Sequence, residues 1–217
     1  RLARAQALLF LADFFHHLLC GRICAEHSLV SYGKLYDQHN QAWSEEIFRA
    51  FALPARIPAP VVRCGEALGE VHAALCEDAG LTRRPMVIAP ASHDTACAAF
   101  AAPDEGEDWA FVVGGSWALV GLCTPEPIIT SEAWRCNCSN SSMPLRKNLF
   151  KNLVAGMYLL QRCQREWADV PFEEIVRLAA AAPENRWYFD PDAADLYNPK
   201  RMTAAIARQI AAANGSG

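Results

Sequence analysis

The run Ala91-Ser92-His93-Asp94-Thr95-Ala96 sets an acid where an apolar segment ends and a small-residue segment begins. Pro85 to Ala89 reads as a short buried strand, and Ala96 to Ala102 as a closely packed helix. Asp94 then falls at a strand-to-helix turn. In α/β folds such turns are where ligands meet the carboxyl edge of the sheet, and a helix N-terminus favours a carboxylate through its dipole and free amides. Simple capping of the helix by Asp94 or Thr95 accounts for the same residues equally well.

A second segment, Val112 to Val120, reads as two strands joined by a Gly114-Gly115-Ser116 turn. Its small residues let backbone amides and a hydroxyl approach an anion closely, although a turn of this composition usually does no more than connect strands. The chain has 217 residues, 52% hydrophobic and 20% charged, which is the composition of a globular protein. A net charge of -4 and the lack of any Lys/Arg run argue against a nucleic-acid surface. The nine cysteines lie mostly in apolar segments, as at Cys20, Cys24, Cys64, Cys76 and Cys97, and fit reduced core thiols better than a disulfide framework. Cys136 and Cys138 have no second pair at zinc-finger spacing, so no metal ligands are assigned.

Between Arg1 and Cys20, Asp13, His16 and His17 interrupt the apolar run, which is far short of a membrane span. Leu8, Leu11, Phe15, Leu18 and Leu19 share one helical face, so an amphipathic core helix is predicted. Ser44 to Phe51 reads as a short helix with Ser44 as N-cap and Trp43 packed on Phe48. Pro54, Pro58 and Pro60 make Ala52 to Cys64 an extended connector, and Leu68, Val71, Ala74 and Leu75 suggest a helix leading to Gly80. Further helices are expected over Leu153–Trp167, Phe172–Ala182 and Met202–Ala213. The acidic, Pro- and Gly-containing stretch from Ala101 to Asp108 predicts a domain boundary, dividing 1–103 from 104–217.

Taken in order, these segments resemble the FGGY family of carbohydrate kinases, in which a Ser-His-Asp-Thr-Ala segment precedes a Ser-Gly-Thr-Trp-Ser-Leu segment. Ser92 to Ala96 and Gly114 to Leu119 match that pair. Asp13-Phe14-Phe15 with Leu19-Cys20-Gly21, then Glu26, Ser31, Leu35, Asp37 and Trp43, fall in the family's order upstream. Asn137-Cys138-Ser139-Asn140 and Leu159-Leu160-Gln161 follow it downstream.

The resemblance implies an α/β, actin-like (ribonuclease H-like) fold, here partial. Residues 1–103 would be the C-terminal part of a first, sugar-binding domain, and 104–217 the N-terminal part of a second, nucleotide-binding one. It implies ATP- and Mg2+-dependent phosphorylation of a ketose hydroxyl, as in the members that convert L-rhamnulose to its 1-phosphate. Asp94 would be the base, His93, Asp94, Thr95 and Asn152 would meet the sugar, and Gly115, Ser116 and Gln161 the nucleotide. The implied partners are sugar and ATP, with no nucleic acid or membrane, and the implied location is cytoplasmic.

The sequence departs from the family at several points. Ser116 stands for a threonine, and Ser141-Ser142-Met143-Pro144 replaces an acidic, glycine-rich stretch. The family's substrate-contacting asparagine falls on Leu153 in ungapped register, with Asn152 one residue earlier, a shift of about 100° on a helix. Neither an Asp-x-Gly-Thr phosphate loop nor a late adenine-binding glycine turn is found, and the 217 residues alone are expected to be inactive as a kinase. Three other readings are open. One is a non-catalytic sugar-binding or remnant protein, favoured by Ser141 to Pro144. Another is a His-Asp metal-dependent phosphohydrolase using His93 and Asp94 with His16, His17 or His27. A serine hydrolase at Ser116 is disfavoured because all six histidines precede it.

Overall fold

The structure is a computed structural model and describes residues 2–102, 109–144, 148–184 and 186–213. The boundary expected at 103–104 lies outside these residues. The chain divides into two compact units, Arg1–Phe111 with Gly121–Asn152, and Val112–Val120 with Leu153–Gly217. Among the described residues no helix is long and apolar enough to cross a membrane.

The first unit begins with helix α1 (Leu11–Cys20), closed by Gly21 at φ 76°, whose N–H bonds His17 O. Strand β1 (Ala25–Glu26) runs parallel to β4 (Val61–Val62), with α2 (His27–Tyr32), β2 (Tyr36–Asp37), β3 (Ala42–Trp43) and α3 (Glu45–Ala50) between them. The connector is not extended throughout: it turns at Pro54–Ile57, where Ile57 N–H bonds Pro54 O at 3.2 Å, and Ala59 O accepts the Trp43 indole N–H at 2.8 Å. Ser44 caps α3 through Ile47 N–H, and Trp43 meets Phe48 edge to face at 5.9 Å, the arrangement that the sequence predicts.

The helix expected from Leu68 is only partly formed. Ala67–Glu70 is strand β5, antiparallel to β6 (Met86–Ile88), and the helix, α4, is confined to Ala73–Asp78. Leu68 and Val87 enter a core with Cys24, Val62 and Ala89. Pairing across the sheet outweighs the local helical spacing. Strand β6 is not the fully buried strand expected, because alternation leaves Met86 and Ile88 half exposed on its other face. A five-residue loop then leads to helix α5 (Asp94–Ala101).

Helix α1 also departs from expectation. Its apolar residues Leu11, Phe15, Leu18 and Leu19 are exposed, while Asp13 and His16 are buried. Asp13 Oδ1 accepts the Glu26 N–H at 2.9 Å, and that bond turns the polar side of the helix inward.

Strands β7 (Ala110–Gly114), β8 (Trp117–Thr124), β10 (Asn148–Ala155) and β9 (Cys138–Ser142) pair in that order, and α6 (Ser131–Arg135) precedes β9. Within the first unit β9 and β10 are antiparallel, from Asn148 opposite Ser142 to Asn152 opposite Cys138. A Cβ on Gly121 of β8 would lie 2.3 Å from Phe150 O and 2.8 Å from Lys151 Cβ. Gly121→Ala is therefore expected to destabilise the protein by about 3 kcal/mol, since backbone rather than a flexible side chain must yield. Urea unfolding measures this, and a loss below about 0.5 kcal/mol would show that the strands separate easily.

In the second unit, strand β10 continues to Ala155, so the helix expected from Leu153 starts later, as α7 (Met157–Glu166). Gly156 (φ -101°, ψ -128°) makes the break, and a Cβ there would lie 2.6 Å from Gly115 O. Helices α8 (Phe172–Ala181) and α9 (Met202–Ala213) follow. Leu159, Cys163, Leu196, Met202 and Ala205 form the core. Glu166 caps α9, accepting from Met202 N–H and from the Thr203 amide and hydroxyl.

Candidate active site

Asp94 is the first residue of α5, and His93, in extended conformation, is its N-cap without a side-chain capping bond. The Asp94 side chain is 98% exposed, so it is free to meet a ligand. Its Oδ1 accepts the Thr95 N–H at 2.6 Å and the Thr95 hydroxyl at 3.3 Å, which fixes the carboxylate's direction. Thr95 itself is buried, and its hydroxyl is committed to Asp94.

His93 is buried and stacks on Tyr32, with ring centroids 4.4 Å apart. Its Nε2 lies 3.8 Å from Asp94 Oδ1, too far for a hydrogen bond. Burial first, and then the Lys151 ammonium, pull the His93 pKa below the ordinary histidine value, so the ring is neutral at neutral pH. A hydroxyl about 2.8 Å from both atoms fits between a neutral imidazole and a carboxylate at this separation.

The loop ahead of Asp94 is held from behind. Glu26, 1% exposed, accepts from Ser28 N–H, the Ser28 hydroxyl and Ser92 N–H. Ser28 Oγ also accepts from Ser92 N–H at 3.1 Å and His93 N–H at 3.2 Å. A buried carboxylate with three donors is a rigid support, and it ties β1 to the turn bearing His93 and Asp94. The sequence marked Glu26 and Ser92 only by their place in a resemblance, and Ser28 carries no local signal. Glu26, His27, Ser28, Arg63, Cys64, Met143 and Pro144 line a cavity of about 190 Å³ beside this support.

Lys151 on β10 is a site residue that the sequence does not single out. It is 2% exposed, donates to Ser141 Oγ and lies 5.6 Å from the Tyr32 ring centroid, with the Lys34 ammonium 5.5 Å from the same ring. Burial, then Lys34, push its pKa down to about 7. The unfolded chain, with an ordinary lysine, holds this proton above pH 7 while the folded chain releases it, so stability rises with pH across that window. From pH 7 to pH 8.5 the gain is expected to be about 1.5 kcal/mol. Urea unfolding of the wild type should show this slope and Lys151→Met should flatten it; equal slopes would assign the proton elsewhere.

Asn152 lies on β10 rather than on a helix, so a one-residue shift exchanges sheet faces instead of rotating a side chain by about 100°. Its Nδ2 donates to Cys136 O at 3.0 Å, and its buried Oδ1 has no partner among the described residues. His93, Asp94, Thr95 and Asn152 all belong to the first unit.

Gly115, Ser116 and Gln161 belong to the second. Gly115 O accepts from Met157 N–H at 2.9 Å, and Ser116 O from Gly156 N–H at 3.2 Å and Tyr158 N–H at 2.9 Å. The turn therefore occupies the amides that open α7. The Ser116 side chain is exposed, and Gln161 is exposed one helical turn beyond Met157. A cavity of about 560 Å³ in this unit is lined by mostly apolar residues, including Leu159, Cys163, Trp167 and Phe189. Its walls suit an apolar or aromatic group, not a phosphate.

Among the described residues, His93 and Asp94 join no set of three metal-ligating side chains, with or without His16, His17 or His27. The phosphohydrolase reading thus lacks its metal centre there.

Residues 1–101 match the FGGY family of carbohydrate kinases, N-terminal domain. These 101 residues are an FGGY-type segment. Rhamnulokinase of Bacteroides thetaiotaomicron is 32% identical over 206 residues, and that of Enterococcus faecalis 28% over 207. The matches take in 94% and 95% of this chain and 42% of each relative, so the chain spans less than half the length of these relatives. Two solved structures from Lactobacillus acidophilus share its fold. Gluconate kinase has a TM-score of 0.72 at 13% identity, covering 96% of this chain and 46% of its own. Ligand-bound xylulose kinase has a TM-score of 0.71 at 13% identity, covering 89% and 39%. The fold is the actin-like one of FGGY sugar kinases.

Proposed function

We propose that these residues serve an ATP-dependent sugar kinase acting in the cytoplasm on a ketose, with L-rhamnulose phosphorylated at its 1-hydroxyl as the leading substrate. The rhamnulokinase relatives support that choice of sugar. The observation that carries the reading is the Asp94 carboxylate, exposed and aimed by Thr95, with a neutral imidazole 3.8 Å away.

The sugar hydroxyl would lie between His93 Nε2 and Asp94 Oδ1. Asp94 takes its proton as the oxygen attacks the γ-phosphorus of ATP, and the bond to the bridging oxygen of ADP breaks. In a loose phosphoryl-transfer transition state, placement of the nucleophile matters more than its full deprotonation, and the buried Glu26–Ser28 support supplies placement. Mg2+, when bound with ATP, neutralises phosphate charge. Lys34 and Lys151 add positive potential near His93. Asn152 on β10 would meet the sugar, as the family resemblance implies. Ser116 and Gln161 would serve the nucleotide, with 1–103 and 104–217 as the sugar and nucleotide portions.

The 217 residues alone are expected to release no ADP above background from Mg-ATP and a ketose. A panel of ketoses tested on a protein joining these residues to a phosphate loop and adenine turn checks the substrate. Preference for a ketose other than L-rhamnulose would overturn the sugar assignment, and no turnover with any would favour a non-catalytic sugar-binding protein.

A further inference from the structure

We infer that Asp13, His16 and Cys24 form a site for one divalent metal ion of the zinc type, at the junction of α1 and β1. Their potential ligand atoms all lie within 4.8 Å of one another, and all three residues are buried. Asp13 Oδ2 and His16 Nδ1 have no hydrogen-bond partner among the described residues. His16 Nδ1 is 3.6 Å from Asp13 Oδ1, too long for a hydrogen bond yet close to the separation of two ligands on a tetrahedral ion with bonds of about 2.0–2.1 Å.

Two orphaned polar atoms in a buried site are costly, and a cation that accepts both lone pairs removes that cost. The orientation of α1 is consistent with this, because the helix exposes Leu11, Phe15 and Leu18 while turning Asp13 and His16 inward. One carboxylate oxygen, one imidazole nitrogen and one thiolate sulfur are donors that zinc accepts together, leaving its fourth position to water. Burial, and for Cys24 the neighbouring Asp13, push the Asp13 and Cys24 pKa values upward, the latter to about 11. On binding, the Cys24 thiol releases its proton to solvent and the thiolate joins the ion, so binding strengthens as pH rises.

The site lies apart from Asp94 but is linked to its support. Asp13 Oδ1 holds the Glu26 N–H, and the Glu26 carboxylate holds Ser92 N–H. A bound ion would brace this chain of bonds from its far end. The inference does not depend on the kinase reading.

The test is metal analysis of the protein as purified, followed by cobalt(II) titration after chelator treatment and dialysis. One zinc per chain is expected, with a cobalt spectrum showing a thiolate charge-transfer band and the intense visible bands of a tetrahedral ion. Cys24→Ser and His16→Asn should each abolish the thiolate or weaken binding at least about 100-fold, whereas Cys136→Ser with Cys138→Ser should leave both spectrum and stoichiometry intact. No tetrahedral cobalt spectrum in folded wild type, or a spectrum removed only by the Cys136 and Cys138 changes, would overturn the assignment. Should Cys24→Ser fail to fold, His16→Asn decides, because the same cobalt spectrum in that variant excludes the site.

Discussion

Asp94→Asn is expected to lower turnover by about 10²- to 10⁴-fold in an active protein carrying these residues, while sugar affinity changes little. Asparagine keeps the size of the side chain, and its amide oxygen can still accept from Thr95 N–H, so the turn should hold its shape. What disappears is a site for the proton that leaves the sugar hydroxyl. The loss should therefore appear in kcat rather than KM, with binding of the sugar followed separately by calorimetry. Turnover near wild type would remove Asp94 from the base role. A parallel loss of sugar binding would instead make it a binding residue. Because the carboxylate is 98% exposed, unfolding is not expected to confuse the result.

Replacing Glu26 with leucine is expected to destabilise the protein by roughly 3–5 kcal/mol, the larger stability effect among those considered. Its carboxylate accepts from Ser28 N–H, Ser28 Oγ and Ser92 N–H in a place that water does not reach. Leucine leaves those donors with one acceptor fewer, and the loop carrying His93 loses its anchor to β1. Glu26→Gln retains one oxygen and similar volume, so it should recover more than half of the loss. Urea unfolding of the two variants makes the comparison, and equal stabilities would show that volume rather than hydrogen bonding matters at this position. In an active protein, Glu26→Gln should reduce kcat modestly through a less well-fixed Asp94 turn.

Several of these features were open to reading from the chain alone. The strand-to-helix change around Asp94, the capped α3 with its Trp43–Phe48 pair, the glycine turn before β8 and the helices α8 and α9 are each encoded within a few residues. Capping, turn chemistry and helical periodicity operate over that range. The order of the motifs was enough to suggest the family. The roles proposed for the site residues came with that resemblance and not from the spacing itself.

Other features depended on residues far apart in sequence. Helix α1 has the periodicity of a core helix, yet Asp13 finds its acceptor role with Glu26 thirteen residues later, and the helix turns its leucines outward. Ala67–Glu70 and Leu153–Ala155 lie in segments with helical patterns, but sheet partners make them strands. Lys151 is an ordinary lysine until Ser141, Lys34 and the Tyr32 ring surround it. Asp13, His16 and Cys24 show no familiar ligand spacing, and only the junction of α1 and β1 gathers them.

The sequence by itself determined where an acid meets a helix start, which short segments cap and turn, and which family's order the motifs follow. The tertiary structure alone decided which face of α1 is buried, which carboxylate supports the Asp94 turn, and which titratable groups lie without water. The reason is physical: local preferences act through neighbouring dihedrals and side chains, whereas burial and its effect on charge are set by partners that only folding brings together.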